Sequence, residues 1–98
     1  TIPAIVLMSP GLDYRGVVTL EEVRALASTQ SVLLMASDDD AYSFSTVREL
    51  YNAATQLKTR EIMEGSGVGH GTTMIEKNPQ WIADVIGWLG GVSALPSL

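Results

Sequence analysis

Three short apolar runs, Ile2–Met8, Ser31–Ala36 and Thr59–Glu64, are each followed by a helical pattern, and this alternation constrains the fold more than any other feature. Strands that recur between helices pair in parallel, because a helix carries the chain back to the start of the next strand. The first two runs have consecutive apolar residues, Ile5-Val6-Leu7 and Val32-Leu33-Leu34-Met35. That is the pattern of strands covered on both faces. Thr59–Glu64 alternates around Ile62 and Met63 and reads as a third, less buried strand. The fold class expected is α/β: three strand–helix units forming a partial parallel sheet.

The helices are marked by spacing and by caps. Thr19 with Glu22 three residues on forms a capping box, opening a helix over about Leu20–Ala27. Val47, Leu50, Tyr51, Ala54 and Leu57 make one apolar stripe, which predicts a helix over Ser45–Leu57. Asn78 as N-cap and Pro79 as first residue open a last helix with Trp81, Ile82, Val85, Ile86, Trp88 and Leu89 on a broad apolar face, and Gly90-Gly91 is expected to stop it. Ser9-Pro10-Gly11 breaks the chain after the first run, and a loop is expected through Leu12, Asp13, Tyr14, Arg15 and Gly16. The tail to Leu98 reads as loose.

Composition excludes several classes of function. The chain has 98 residues, enough for one domain, and 46% are hydrophobic, which argues against a disordered chain. No apolar run reaches the roughly 18 residues of a membrane span. Six Lys and Arg stand against eleven Asp and Glu, a net charge of −5 with no basic cluster. Neither a nucleic-acid groove nor an anionic membrane surface is the expected partner. There is no cysteine, hence no disulfide, no thiolate nucleophile and no cysteine-based metal site. No organic cofactor and no metal site is expected. Without a basic leader the expected location is cytoplasmic.

Parallel strands joined by crossovers of one hand bring their following loops to the same carboxyl edge, where ligand sites of open α/β sheets form. Those loops carry Ser9, the acidic turn Asp38-Asp39-Asp40, and His70, the only histidine, within Gly65-Ser66-Gly67-Val68-Gly69-His70-Gly71. Small neighbours leave the imidazole room to reach a cleft. Three adjacent carboxylates repel one another, so they need partners or a helix N-terminus. One of them could orient the imidazole, fixing its tautomer and stabilising the imidazolium. The alternatives are a solvated acidic turn that caps a helix and a weak divalent-cation pocket. The glycine-rich stretch matches neither the P-loop nor the dinucleotide fingerprint.

These segments together resemble part of a known family. Ala4–Gly16 resembles the strand and loop after the nucleophile segment of α/β-hydrolases of the esterase and dienelactone-hydrolase kind, Val32–Ser43 their acid strand and turn, Gly67–Thr72 their histidine loop, and Trp81–Leu89 their closing helix. The resemblance implies that Asp40 is the catalytic acid, since the family's acid stands last in such a turn, and that His70 is the general base. The family's nucleophile motif, Gly-x-Ser-x-Gly, is not in this sequence, and neither is its oxyanion loop. Residues 1–98 therefore read as one partial domain, similar to the C-terminal third of such a hydrolase. Ser66, between Gly65 and Gly67 but preceded by Glu64, is a weak nucleophile candidate, and Ser9 a second.

Two functions follow as expectations. In one, the chain supplies base and acid for hydrolysis of a small-molecule ester, and the serine comes from other sequence or a partner chain. In the other, it is an inactive, truncated hydrolase-like domain acting as an oligomeric binding or assembly module. Association is expected under both, as a homo-oligomer or with a complementing chain, through the Ile2–Met8 edge or the Trp81/Trp88 helix.

Overall fold

The computed structural model describes residues 4–11, 13–14 and 17–93. Its centre is a three-stranded parallel sheet. Strand β1 (Ala4–Met8) is followed by a small antiparallel hairpin, β2 (Asp13–Tyr14) with β3 (Val17–Val18), and by helix α1 (Thr19–Arg24). Then come β4 (Ser31–Ser37), α2 (Ala41–Ala53), β5 (Thr59–Gly65), the short α3 (Thr73–Lys77) and α4 (Gln80–Ser93). The sheet order is β1-β4-β5, with Ala4 opposite Ser31 and Ser31 opposite Thr59. The chain is thus α/β with three parallel strands and helices between them.

Side-chain alternation along β4 sorts the core into two layers. All seven residues of β4 are buried. Val32, Leu34 and Ala36 face α1 and α2, where they pack with Val23, Val47, Leu50, Ala54 and Leu57. Leu33 and Met35 face the other way, onto Met74 of α3 and Trp81 of α4. The flanking strands obey the same parity: Ile5, Leu7 and Ile62 join the first cluster, Val6 and Met63 the second. Both crossover helices therefore lie on one face. A single crossover hand demands this when strand order advances in one direction. The chain after β5 must then cover the opposite face, and α3 and α4 do so.

Several expected boundaries move. Thr19 does not cap α1 but is its first residue, and its hydroxyl donates to the Gly11 carbonyl, tying the helix start to the turn after β1. Helix α2 lies four residues upstream of the expected span. It begins after Asp40, whose carbonyl accepts the Phe44 N–H at 2.9 Å. It ends at Ala53, where the Arg60 guanidinium donates to the Tyr51 carbonyl and stacks 4.2 Å from the Tyr51 ring centroid. Ala54 and Leu57 are buried outside the helix, so the apolar stripe marks burial rather than helical backbone.

Asn78 ends α3 and also starts the turn into α4, accepting the Trp81 N–H at 3.0 Å. Helix α4 runs through Gly90 and Gly91. Added side chains there would meet nothing within 4 Å, so no contact demands a turn. The hairpin, whose first strand lies in the expected loop, and α3 are additional elements. Residues 2 and 3 of the first expected strand, Leu12, Arg15 and Gly16 of the expected loop, and the tail 94–98 lie outside the described residues.

Candidate active site

The carboxyl ends of β1, β4 and β5 bring Ser9, the acidic turn and the glycine-rich loop together. Register does the work. Ser37 pairs with Gly65 at the end of the β4–β5 ladder, and the Asp38 N–H extends it by donating to the Gly65 carbonyl at 2.9 Å. Residues 38–40 and 66–70 leave the sheet side by side from this point.

The three aspartates do not share a site; each is matched to a different part of the loop. Asp38 accepts the Ser66 hydroxyl at 2.9 Å through Oδ2 and the Gly67 N–H at 3.0 Å through Oδ1. Asp39 Oδ1 accepts the Ser37 hydroxyl and the Gly69 N–H, the latter at 3.1 Å. Ser37 Oγ in turn accepts the Val68 N–H at 3.0 Å. Asp40 Oδ2 meets Nδ1 of His70.

The loop can offer so many donors to one side because Gly67, Gly69 and Gly71 take positive φ, at 68°, 86° and 61°. Alternating backbone hands turn successive N–H groups the same way, forming a concavity that favours anions. Here the acidic turn itself fills it. The glycines thus resolve the repulsion among the carboxylates, and among the described residues no three His, Cys, Asp or Glu side chains converge to hold a metal ion.

Electrostatics separates the carboxylates. The hydrogen bonds from Ser37 and the Gly69 amide hold Asp39 below the ordinary aspartate pKa. Partial burial raises the pKa of Asp40; the hydrogen bond from His70, with a smaller one from Ser43, outweighs this and leaves it below the ordinary value. Asp40 is thus an ionised acceptor at neutral pH, at the N-terminus of α2, where the helix dipole also favours negative charge. The Asp40 side chain is 18% exposed and that of His70 70% exposed. With Asp40 on Nδ1, the neutral ring carries its proton there and leaves Nε2 as the basic nitrogen.

Neither serine candidate meets the imidazole. The Ser66 hydroxyl donates to Asp38. Ser9 is buried, accepts the Gly71 N–H at 2.8 Å and points its hydroxyl at the Met74 sulfur 3.9 Å away. Ser9 also has φ +51°, the only positive value at a non-glycine among the described residues. In sequence this serine reads as part of a strand-ending turn and as a second nucleophile candidate; nothing local marks its bond to the Gly71 amide. Two cavities border other parts of the fold. One of about 350 Å³ is lined by Ile5, Leu7, Pro10, Gly11, Val23 and Leu26 beside β1, and one of about 250 Å³ lies between α1 and α2.

Compared with models of protein families, with characterised proteins and with solved structures, the chain gives no match. Among the described residues no helix is long and apolar enough to cross a membrane.

Proposed function

We propose that this chain supplies the general base and its orienting acid for ester hydrolysis by serine-type acyl transfer. The observation that carries the reading is the contact of Asp40 Oδ2 with His70 Nδ1 at the carboxyl edge of a parallel sheet. In this mechanism Nε2 of His70 takes the proton of a serine hydroxyl as that oxygen attacks the ester carbonyl. The resulting imidazolium then protonates the leaving alcohol. Asp40 stays ionised throughout, holding the ring through Nδ1–H and stabilising its charge. The serine comes from other sequence or from a partner chain, because Ser66 and Ser9 have other partners.

The single histidine makes the test direct. Diethyl pyrocarbonate acylates a neutral imidazole, and at a pH where the ring is neutral in both chains carbethoxyhistidine should form several-fold faster in wild type than in Asp40→Asn, and not at all in His70→Ala. Equal rates for wild type and Asp40→Asn would sink the reading. Hydrolysis of a short-chain p-nitrophenyl ester locates the nucleophile. A rate above buffer that falls at least about a hundredfold in His70→Ala would mean that the chain brings its own.

A second reading, an association module of hydrolase-like form, is favoured by β1. Among the described residues this strand pairs only with β4, so its outer backbone groups have no strand partner. Ile5, Val6 and Leu7 are only half-buried, and the larger of the two cavities lies against Ile5 and Leu7. Sedimentation of the purified chain tests this reading.

A further inference from the structure

We infer that Ser9 is a positioning residue for His70, holding the histidine loop where the imidazole meets Asp40. The inference rests on the reading of His70 as a base. It starts from a mechanical problem in the loop. His70 lies between Gly69 and Gly71, both at positive φ, and glycine itself restrains neither. The imidazole is largely exposed, so packing does not hold it either. What restrains the loop is its hydrogen bonds. Before His70, the amides of Gly67, Val68 and Gly69 are bound by Asp38, Ser37 and Asp39. After His70, the amide of Gly71 is bound by Ser9 Oγ across 62 residues of sequence. His70 is therefore held on both sides; after it, the Thr73 and Met74 N–H groups bind the His70 and Gly71 carbonyls from the next turn of chain, and Ser9 is the one pin that comes from the end of another strand.

Ser9 is itself fixed. Its N–H donates to the Met35 carbonyl at 2.7 Å, extending the β1–β4 ladder by one bond. Its side chain is buried and its hydroxyl hydrogen is directed at Met74 of α3, the helix just after the loop. The positive φ matters here, because a left-handed residue at the strand end turns the chain away from the extended path. Serine suits the place because one short hydroxyl accepts from Gly71 and donates to Met74 together. The same two bonds withhold Ser9 from the role of nucleophile.

The test uses NMR of the full chain, where the lone histidine gives one set of imidazole nitrogen signals. Ser9→Gly removes the hydroxyl and relieves the positive φ, so it keeps the fold, where Ser9→Ala would lose the hydroxyl and retain the strain. At a pH where the ring is neutral, wild type should show the Nδ1–H tautomer. Ser9→Gly should shift the ring toward the Nε2–H tautomer and speed exchange of the Gly71 amide by about fivefold or more, the loss of one hydrogen bond. Leu50→Ala, a core change remote from the loop, should leave the tautomer unchanged in the folded protein. An unchanged tautomer in Ser9→Gly overturns the inference, with or without faster exchange at Gly71. The tautomer reports placement and needs no activity, whereas the base reading stands or falls on the acylation rates.

Discussion

Asp40 serves two elements at one position. Its carbonyl opens α2, and its carboxylate faces the imidazole of His70. Its lowered pKa ties the site to stability with a definite sign. Folding suppresses protonation of Asp40, so its contribution is present above the ordinary aspartate value of about 4 and is lost as pH falls through the lowered one. Urea denaturation of wild type should therefore weaken more steeply below pH 4 than that of Asp40→Asn. Two glycines near this site, Gly65 at the end of β5 and Gly67 in the loop, separate space from backbone hand. A Cβ on Gly65 would lie 2.6 Å from Val68 Cγ2 and 2.7 Å from Trp81 Cη2, and buried Trp81 has nowhere to retreat. Gly65→Ala should cost about 1–3 kcal/mol by overpacking. Gly67→Ala meets nothing within 4 Å but keeps φ near +68°, so about 1 kcal/mol is expected from the left-handed backbone alone. Chemical denaturation of the two variants beside wild type measures both.

At the scale of elements, apolar spacing reports burial more faithfully than it reports helix ends. The stripe Val47, Leu50, Tyr51, Ala54 and Leu57 is in contact with the core throughout, yet α2 ends at Ala53. The chain must turn there so that Thr59 can enter the sheet opposite Ser31. Helix α4 shows the converse. Its apolar face is broader than its contact: Trp81 is buried, Val85 and Trp88 pack around the second cluster, and Ile82 and Ile86 are exposed. Trp81→Ala should cost about 3–5 kcal/mol by leaving a cavity against Leu33 and Met74. Ile86→Ala, at a side chain 63% exposed, should stay within about 0.5 kcal/mol. Urea midpoints of the two variants check the contrast. Of the two tryptophans read as one surface, Trp81 is committed to the core.

Across the whole molecule, β4 is saturated and β1 is not. Among the described residues the central strand has a neighbour on each side and helices on both faces, while β1 has one neighbour and half-covered side chains. Open strand edges invite pairing, and a charge on the edge discourages it. Wild type should self-associate in sedimentation at high protein concentration. Met8→Lys, at the partly exposed end of β1, should shift the chain toward monomer with its urea midpoint unchanged. A wild type that stays monomeric removes the support for the association reading.

The sequence alone determined the strands, the parallel α/β class and the residue types at the carboxyl edge, because side-chain burial on two faces leaves a local, periodic imprint. Consecutive apolar residues in Val32–Met35 could mean only a strand covered from both sides once helices flanked it. The hairpin after β1 and the short α3 left no such imprint, since two-strand pairs and single helical turns are too brief to set a period. Which carboxylate faces His70, and which hydroxyl binds Gly71, was decided by tertiary structure. Both contacts join residues thirty or more positions apart, and each follows from the register of β4 on its neighbours. A one-residue slip in either pairing would rearrange every partner at the edge while leaving local sequence preferences untouched.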